Sequence, residues 1–236
     1  MAPTSSSHGT SAAASGSHDL RSVMEPLAPQ GLYVHFPFCV SLCPYCDFVV
    51  VAGGAARGPA NRIGALLEAV HAELALRAAG LATKAPLRSV YLGGGTPSLM
   101  TAAQVGRLLD GVAEALGIAS DAEVTLEANP GADEIGDLAG FRAAGVNRLS
   151  MGAQSMDDHE LKRLGRRHRS TDIEAAMSAA RSAGFDSVSF DLLTDVPGQT
   201  IESWRTSLGA ALALEPDHLS AYSLTLDDPD AEGLTG

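Results

Sequence analysis

Arg142-Ala-Ala-Gly-Val-Asn-Arg-Leu-Ser150 returns 39 residues later as Arg181-Ser-Ala-Gly-Phe-Asp-Ser-Val-Ser189. In both copies a helix ends at a glycine, Gly145 or Gly184, where a left-handed residue costs least, and a strand begins three residues further on. A unit that turns from helix to strand in the same way twice implies strands that run parallel. Working outward, strand-like runs fall at 32–36, 88–92, 123–127, 147–151, 187–192 and 218–224. Helices with apolar residues three and four apart lie between them. One carries Ile63, Leu66, Val70 and Leu74; another Val105, Leu108, Val112 and Leu116; a third Ile201, Trp204, Leu208 and Leu212. Thr101 with Gln104, and Thr171 with Glu174, fit the capping box at helix starts. A closed eight-unit barrel typically takes ~250 residues, so six units point to an α/β fold with parallel strands, a partial (β/α)6 barrel. An open doubly wound sheet is the competing arrangement, because periodicity does not distinguish closure from an open edge.

The chain has 236 residues, 45% of them hydrophobic, enough for one sizeable core. Its net charge of −12 disfavours duplex nucleic acid or an anionic membrane as a partner. No apolar run reaches the roughly 18 residues of a transmembrane helix, so no stable membrane insertion is expected. Residues 1–30, rich in Ser, Ala, Gly and Pro, read as a disordered tail. They lack the features of a secretory signal, and a transit peptide would carry more arginines than Arg21 alone. A cytoplasmic protein with reduced thiols is expected.

The chemistry begins after the first strand, at Cys39-Val-Ser-Leu-Cys43-Pro-Tyr-Cys46. These are the chain's 3 cysteines, and an odd, clustered set looks like metal ligands rather than a disulfide framework. Three thiolates around a four-iron cube leave one iron open, as a reactive cluster needs. The competing reading is a structural zinc site completed by His35 or Asp47. Against it, structural zinc loops usually show paired C-x2-C spacing, and no second pair exists.

After the second strand comes Gly93-Gly-Gly-Thr-Pro-Ser98, where a ligand could approach the backbone and find free N–H and C=O groups. Polar residues then recur at or near later strand ends: Glu127, Gln154, Asp191 within the fifth strand, and Thr225. In parallel βα barrels those ends share one face, so these groups would converge. The one basic run, Lys162-Arg-Leu-Gly-Arg-Arg-His-Arg169, reads as a helix end with one arginine facing inward toward an anion and the others on the surface.

Taken together, an ordered set of motifs resembles the oxygen-independent coproporphyrinogen III oxidase family of radical S-adenosylmethionine (SAM) proteins. The set is Tyr33-Val-His-Phe-Pro-Phe-Cys39, Cys43-Pro-Tyr-Cys46-Asp-Phe48, the segment 93–98, Glu127-Ala-Asn-Pro130, Gly152-Ala-Gln-Ser155, Gly165-Arg-Arg-His168 and Pro197-Gly-Gln-Thr200. Within that family the chain is most similar to the heme-chaperone (HemW-type) branch, because the oxidases proper carry a fourth cysteine where Phe48 stands. The resemblance covers residues 31–226 and implies a radical SAM barrel there, with 227–236 as the start of a further, truncated region. It implies a [4Fe-4S] cluster on Cys39, Cys43 and Cys46. It also implies SAM contacts from Tyr33, Tyr45, Gly94, Gly95, Thr96, Glu127, Gln154, Arg166 and Asp191.

The implied chemistry is reductive cleavage of SAM to a 5′-deoxyadenosyl radical, which needs a low-potential electron donor. In the oxidases that radical begins decarboxylation of a porphyrinogen propionate. In the chaperone branch the resemblance implies heme binding and delivery to a heme-acceptor protein. A reading of another class is an inert or zinc-binding barrel. One departure falls in the barrel: Asp195 stands where the family has a small glycine, which is expected to disturb the turn after the fifth strand. His35 is expected to pack or make a local hydrogen bond.

Overall fold

In the computed structural model, which describes residues 28–225, the repeat does what its glycines require. The tail at 1–30 lies outside the described residues except for its last three, and so does the segment 227–236. Helix α3 (Leu138–Ala143) ends into Gly145 at φ 110°, and α5 (Ser170–Ser182) into Gly184 at φ 85°. Strands β6 (Arg148–Gln154) and β7 (Ser187–Thr194) start three residues later in each case. A third copy was hidden in the sequence. Helix α6 (Ile201–Ala213) ends into Glu215 at φ 54°, and β8 (His218–Ser223) follows at the same offset. A glutamate holds the left-handed position there, so the glycine signal is missing.

The remaining strands are β1 (Gly31–Phe36), β4 (Leu87–Gly94) and β5 (Ile118–Ala128). Together these six form one sheet in the order β1-β4-β5-β6-β7-β8, and every pair is parallel. The order is monotonic. A doubly wound sheet reverses its strand order at a switch point, so that alternative is overturned. The sheet stays open between β1 and β8. A two-stranded parallel pair, β2 (Phe38–Cys39) with β3 (Val51–Ala52), pinches the two ends of the cysteine segment together.

Side chains alternate across each strand, and here the alternation divides the molecule. Val90 and Leu92, Val124 and Leu126, Leu149 and Met151, and Val188, Phe190 and Leu192 are buried in one hydrophobic cluster. The helices α1 (Ile63–Ala79), α2 (Ala102–Leu116) and α5 supply its other half through residues such as Leu67, Leu108 and Ile173, and the short α4 (Asp158–Arg163) adds Leu161. The intervening residues Tyr91, Glu127, Ser150, Asp191 and Ser220 line a cavity on the opposite face. Among the described residues no helix is long and apolar enough to cross a membrane.

Two helix readings need correction. The Thr101–Gln104 box forms, Thr101 Oγ1 accepting from Gln104 N at 3.2 Å and Gln104 Oε1 from Thr101 N at 2.8 Å. The Thr171–Glu174 box does not, because α5 begins earlier: Asp172 accepts from Arg169 N at 2.8 Å, and Asp158 Oδ1 from Ser170 N at 2.9 Å. In α6 the expected apolar stripe is only half used. Trp204 and Leu208 pack on the core, while Ile201 and Leu212 are 66% and 53% exposed and the buried residues are Ser207 and Ala211.

Asp195 occupies a left-handed conformation at φ 61°. Its carboxylate accepts from Ser223 Oγ at 2.7 Å and Thr194 Oγ1 at 3.1 Å, and the next turn closes normally through Gln199 N to Val196 O at 2.7 Å. The turn closes with the acid in place, held by two hydroxyls, in a backbone conformation that suits glycine better.

The three equivalent positions predict opposite effects. An L-residue in the left-handed region costs roughly 1–2 kcal/mol. Glu215→Gly should therefore raise stability by about 1 kcal/mol in urea unfolding. Gly184→Ala should lower it by a similar amount, although an added Cβ there meets nothing within 4 Å.

Candidate functional site

The cysteine segment leaves β2 at Cys39 and rejoins at β3, and few apolar side chains hold it: Leu42, Phe48 and Val49 are all exposed. Polar contacts hold it instead. His35 Nε2 lies 2.8 Å from Val49 O, and a carbonyl only accepts, so Nε2 donates. In the neutral ring Nδ1 is then the acceptor, and Tyr33 OH donates to it at 2.9 Å. Tyr33 and His35 thus share a strand face as their spacing implied, and His35 has the local hydrogen-bonding role expected of it. Cys46 N donates to Cys43 O at 3.1 Å, tightening the second half of the loop. Gly165, at φ 67°, presents an open position against Pro44, whose Cδ would stand 2.9 Å from an added Cβ.

The three cysteines are free and partly buried. Burial pushes the Cys39 thiol up, opposed by the Thr96 hydroxyl, which lies 3.6 Å from its Sγ. Burial also pushes Cys46 up, opposed by a backbone hydrogen bond from Phe48. Among the described residues no three His, Cys, Asp or Glu side chains are grouped as a single bound ion requires. His35 is engaged by Tyr33 and Val49 and is not turned toward the thiols as a fourth zinc ligand would be.

Behind the loop opens a cavity of about 500 Å3 lined from β4 through the end of β8. Glu127 stands at its floor, accepting from Tyr91 OH and from Gly94 N, each at 2.8 Å. Burial raises its carboxyl above the ordinary range despite those two donors. Burial likewise raises Asp191, against the pull of Ser220 and Ser150 hydroxyls. Gln154 closes β6 beyond a register shift, in a left-handed conformation at φ 66°. A non-glycine residue held this way at a cavity wall stores local strain of the kind that collects at functional sites.

Arg166 is the inward-facing arginine of the basic run. Its Nη1 donates to Cys43 Sγ at 3.4 Å and Tyr45 OH at 3.5 Å; its Nη2 donates to Gly152 O at 3.0 Å and to Asn129 Oδ1. Its Nε is buried without a hydrogen-bond partner. Desolvation opposes its charge, but Tyr45 and Cys43 more than offset that, so the guanidinium stays protonated. Arg167 pairs with Asp133 at 2.7 Å at the surface, and Lys162, Arg163 and Arg169 are exposed. His168 does not belong with the basic groups. It is buried, its Nε2 lies 3.1 Å from Ala153 O, and burial beside Arg166 lowers its pKa to about 4.

The structure therefore brings Cys39, Cys43, Cys46, Tyr45, Gly94, Gly95, Thr96, Glu127, Gln154, Arg166, Asp191 and Thr225 to one cavity. Tyr33 is not among the lining residues but stands beside them on the same face of the sheet, paired in register with Tyr91 and with its ring 6.0 Å from that of Tyr91. The glycine run also works differently from its reading. The N–H groups of Gly94, Gly95 and Thr96 are taken by Glu127, Phe36 O and Phe38 O. The glycines serve close approach instead: a Cβ on Gly95 would fall 2.7 Å from Phe38 O, and one on Gly94 2.6 Å from the His35 ring. Sequence reasoning missed Asn129, Tyr91 and Ser150. Asn129 sits inside a quoted motif, and Tyr91 and Ser150 share strand parity with recognised residues. The motif residues Ser155 and Gln199 meet elsewhere, both donating to buried Glu160, at 2.6 and 3.0 Å.

A parallel half-barrel with a three-thiol loop at the carboxyl ends of its strands defines a class. Residues 33–210 match the model of the radical SAM superfamily. The chain belongs to that superfamily. It is 38% identical over 204 residues to the heme chaperone HemW of Haemophilus influenzae, covering 86% of this chain and 53% of that protein. It is 39% identical to the heme chaperone HemW of Escherichia coli with the same coverage. Against radical S-adenosyl methionine domain-containing protein 1, mitochondrial, of Mus musculus the identity is 41% over 83% of this chain and 43% of that one. The chain thus spans about half the length of the curated relatives it matches. Among solved structures, coproporphyrinogen III oxidase (HemN) from Escherichia coli superposes with a TM-score of 0.79 at 31% identity, covering 89% of this chain and 48% of that one.

The residues present fit the cluster and SAM that the superfamily's name implies. Three free thiols from one short loop line the cavity, the donor type that iron–sulfur clusters take, and beside them Arg166 carries a buried Nε without a hydrogen-bond partner.

Two outcomes follow from this geometry. Gly95→Ala forces backbone to move, and should cost about 1–3 kcal/mol in chemical denaturation. The second concerns pH. Below pH 6.5 the unfolded chain protonates His168, whereas the folded protein resists until about pH 4. Stability is therefore lost as pH falls through that window, by on the order of 3 kcal/mol for this group. His168→Gln, which keeps an N–H for Ala153 O, should flatten the stability profile between pH 6.5 and 4 relative to wild type.

Proposed function

We propose that this chain holds a [4Fe-4S] cluster on Cys39, Cys43 and Cys46, binds SAM in the adjoining cavity, and serves heme metabolism as a heme chaperone that delivers heme to an acceptor protein. The observation that carries the reading is the three-thiol loop with Phe48, exposed and apolar, at the position where the oxidases have a fourth cysteine. The heme-chaperone names of relatives at 38% and 39% identity support it. A cluster with one iron free of protein ligands supplies one-electron reducing chemistry toward SAM, drawing on a low-potential electron donor.

The chain's own residues divide the work of binding. Arg166 offers a fixed positive charge suited to a carboxylate, backed by Asn129 and Gly152 O. Asp191 and Gln154 suit ribose hydroxyls, and Glu127, anchored by Tyr91 and Gly94, offers an acceptor of fixed orientation. Tyr45 covers the loop side, its ring against Leu164, Leu193 and Val196. A reducing, cytoplasmic setting goes with three free thiols. A second reading, decarboxylation of a porphyrinogen propionate, is favoured by the likeness to HemN.

Anaerobic reconstitution with iron and sulfide is expected to give a four-iron signal in EPR that SAM perturbs, and Cys43→Ala is expected to lose it. Heme titration should then show one saturable site, with no protoporphyrinogen formed from coproporphyrinogen under reducing conditions. Protoporphyrinogen formation would favour the second reading; zinc without sulfide in the purified protein would exclude both.

A further inference from the structure

We propose that Asn129 is a positioning residue for the cluster thiolates: it sets the hydrogen bonds that Cys39 and Cys43 receive, and through them the reduction potential of the group they hold. This rests on the reading of Cys39, Cys43 and Cys46 as cluster ligands.

Asn129 follows directly on β5, where the chain leaves the sheet beside the loop. Its amide faces two ways. Oδ1 accepts from Arg166 Nη2, while Nδ2 donates to Thr96 Oγ1 at 3.1 Å and to Glu134 Oε1 at 3.3 Å. The neighbours force this orientation, since a guanidinium only donates and a carboxylate only accepts. The consequence runs on to the sulfurs. A threonine hydroxyl has one proton, and with Asn129 donating to its oxygen that proton is directed onto Cys39 Sγ, 3.6 Å away. On the other side, Asn129 and Gly152 O together hold one end of the Arg166 guanidinium, whose Nη1 then reaches Cys43 Sγ at 3.4 Å. One side-chain amide thus orients a neutral donor to one thiolate and a charged donor to another.

Hydrogen bonds to cluster sulfurs stabilise the added electron, so they raise the potential. Asn129→Asp is nearly isosteric and keeps an acceptor for Arg166. It replaces the donor facing Thr96 by an acceptor, which draws the hydroxyl proton away from Cys39, and it adds negative charge near Glu134. Both changes make the cluster harder to reduce. Asn129→Ala removes both connections without adding charge.

The test is an EPR-monitored redox titration of the full 236-residue chain, reconstituted anaerobically, without SAM, with iron and sulfide counted in each sample. At the wild-type midpoint the ratio of reduced to oxidised cluster should fall about tenfold in Asn129→Asp, a shift of about 59 mV for one electron. Asn129→Ala should shift the same way by less. Iron content and thermal stability should stay near wild type in at least one variant. Midpoints unmoved in variants with a full cluster overturn the proposal alone. Loss of iron from both variants also overturns it, because Asn129 would then be holding the loop rather than orienting donors. A wild-type chain that takes up no four-iron cluster overturns the site reading itself, and the wild-type iron and sulfide count separates that result from the others.

Discussion

One guanidinium joins the parts of this site that the chain brings from far apart. Arg166 contacts the cysteine loop through Cys43 and Tyr45, the end of β5 through Asn129, and β6 through the Gly152 carbonyl. A loop whose apolar residues are mostly exposed has little hydrophobic energy to fix it. Hydrogen bonds to a charged group contribute roughly 1.5–3 kcal/mol each and act at defined angles, so they can do what packing does not. The cost is a buried charge with one N–H unsatisfied. It is tolerable because the remaining donors are met.

The second constraint is strand parity. In a closed βα barrel bulky apolar side chains usually fill the interior. Here the inward positions of successive strands are Tyr91, Glu127, Ser150, Asp191 and Ser220, while the outward ones are Leu92, Leu126, Leu149 and Phe190. Polar inward residues cannot form a packed core without leaving desolvated groups, and the sheet accordingly curves around a cavity rather than closing on itself. The helices bear the whole burden of the core on one side. The raised Glu127 and Asp191 carboxyls follow from the same geometry, since burial at the cavity floor disfavours their charge.

The Glu160 cluster shows how motifs divide between site and scaffold. Ser155, Gln199 and Ser203 converge on one buried carboxylate, joining the turn after β6 to the start of α6. Residues quoted in motifs beside cavity-lining positions thus serve to hold neighbouring units in place. Motif membership in the chain did not separate them from Gln154, one residue away, which lines the cavity.

The strand–helix periodicity, the helix-ending glycines and the clustered cysteines were all legible in the chain, because each is a local property written in consecutive residues. They determined a parallel α/β fold and a thiol loop behind its first strand. The third repeat was not legible, because Glu215 takes a conformation that sequence assigns to glycine, and the contacts of Arg181 with Glu215 O and Asp217 that brace it come from distant residues. Nor could spacing reveal that the Tyr33 hydroxyl is engaged by His35, or that the backbone N–H groups after the second strand are already satisfied. Those outcomes depend on which groups arrive from other strands to compete for the same hydrogen bonds. Residue type and spacing determined what chemistry this chain carries; the sheet's register and the reach of Arg166 and Asn129 across it decided which groups meet.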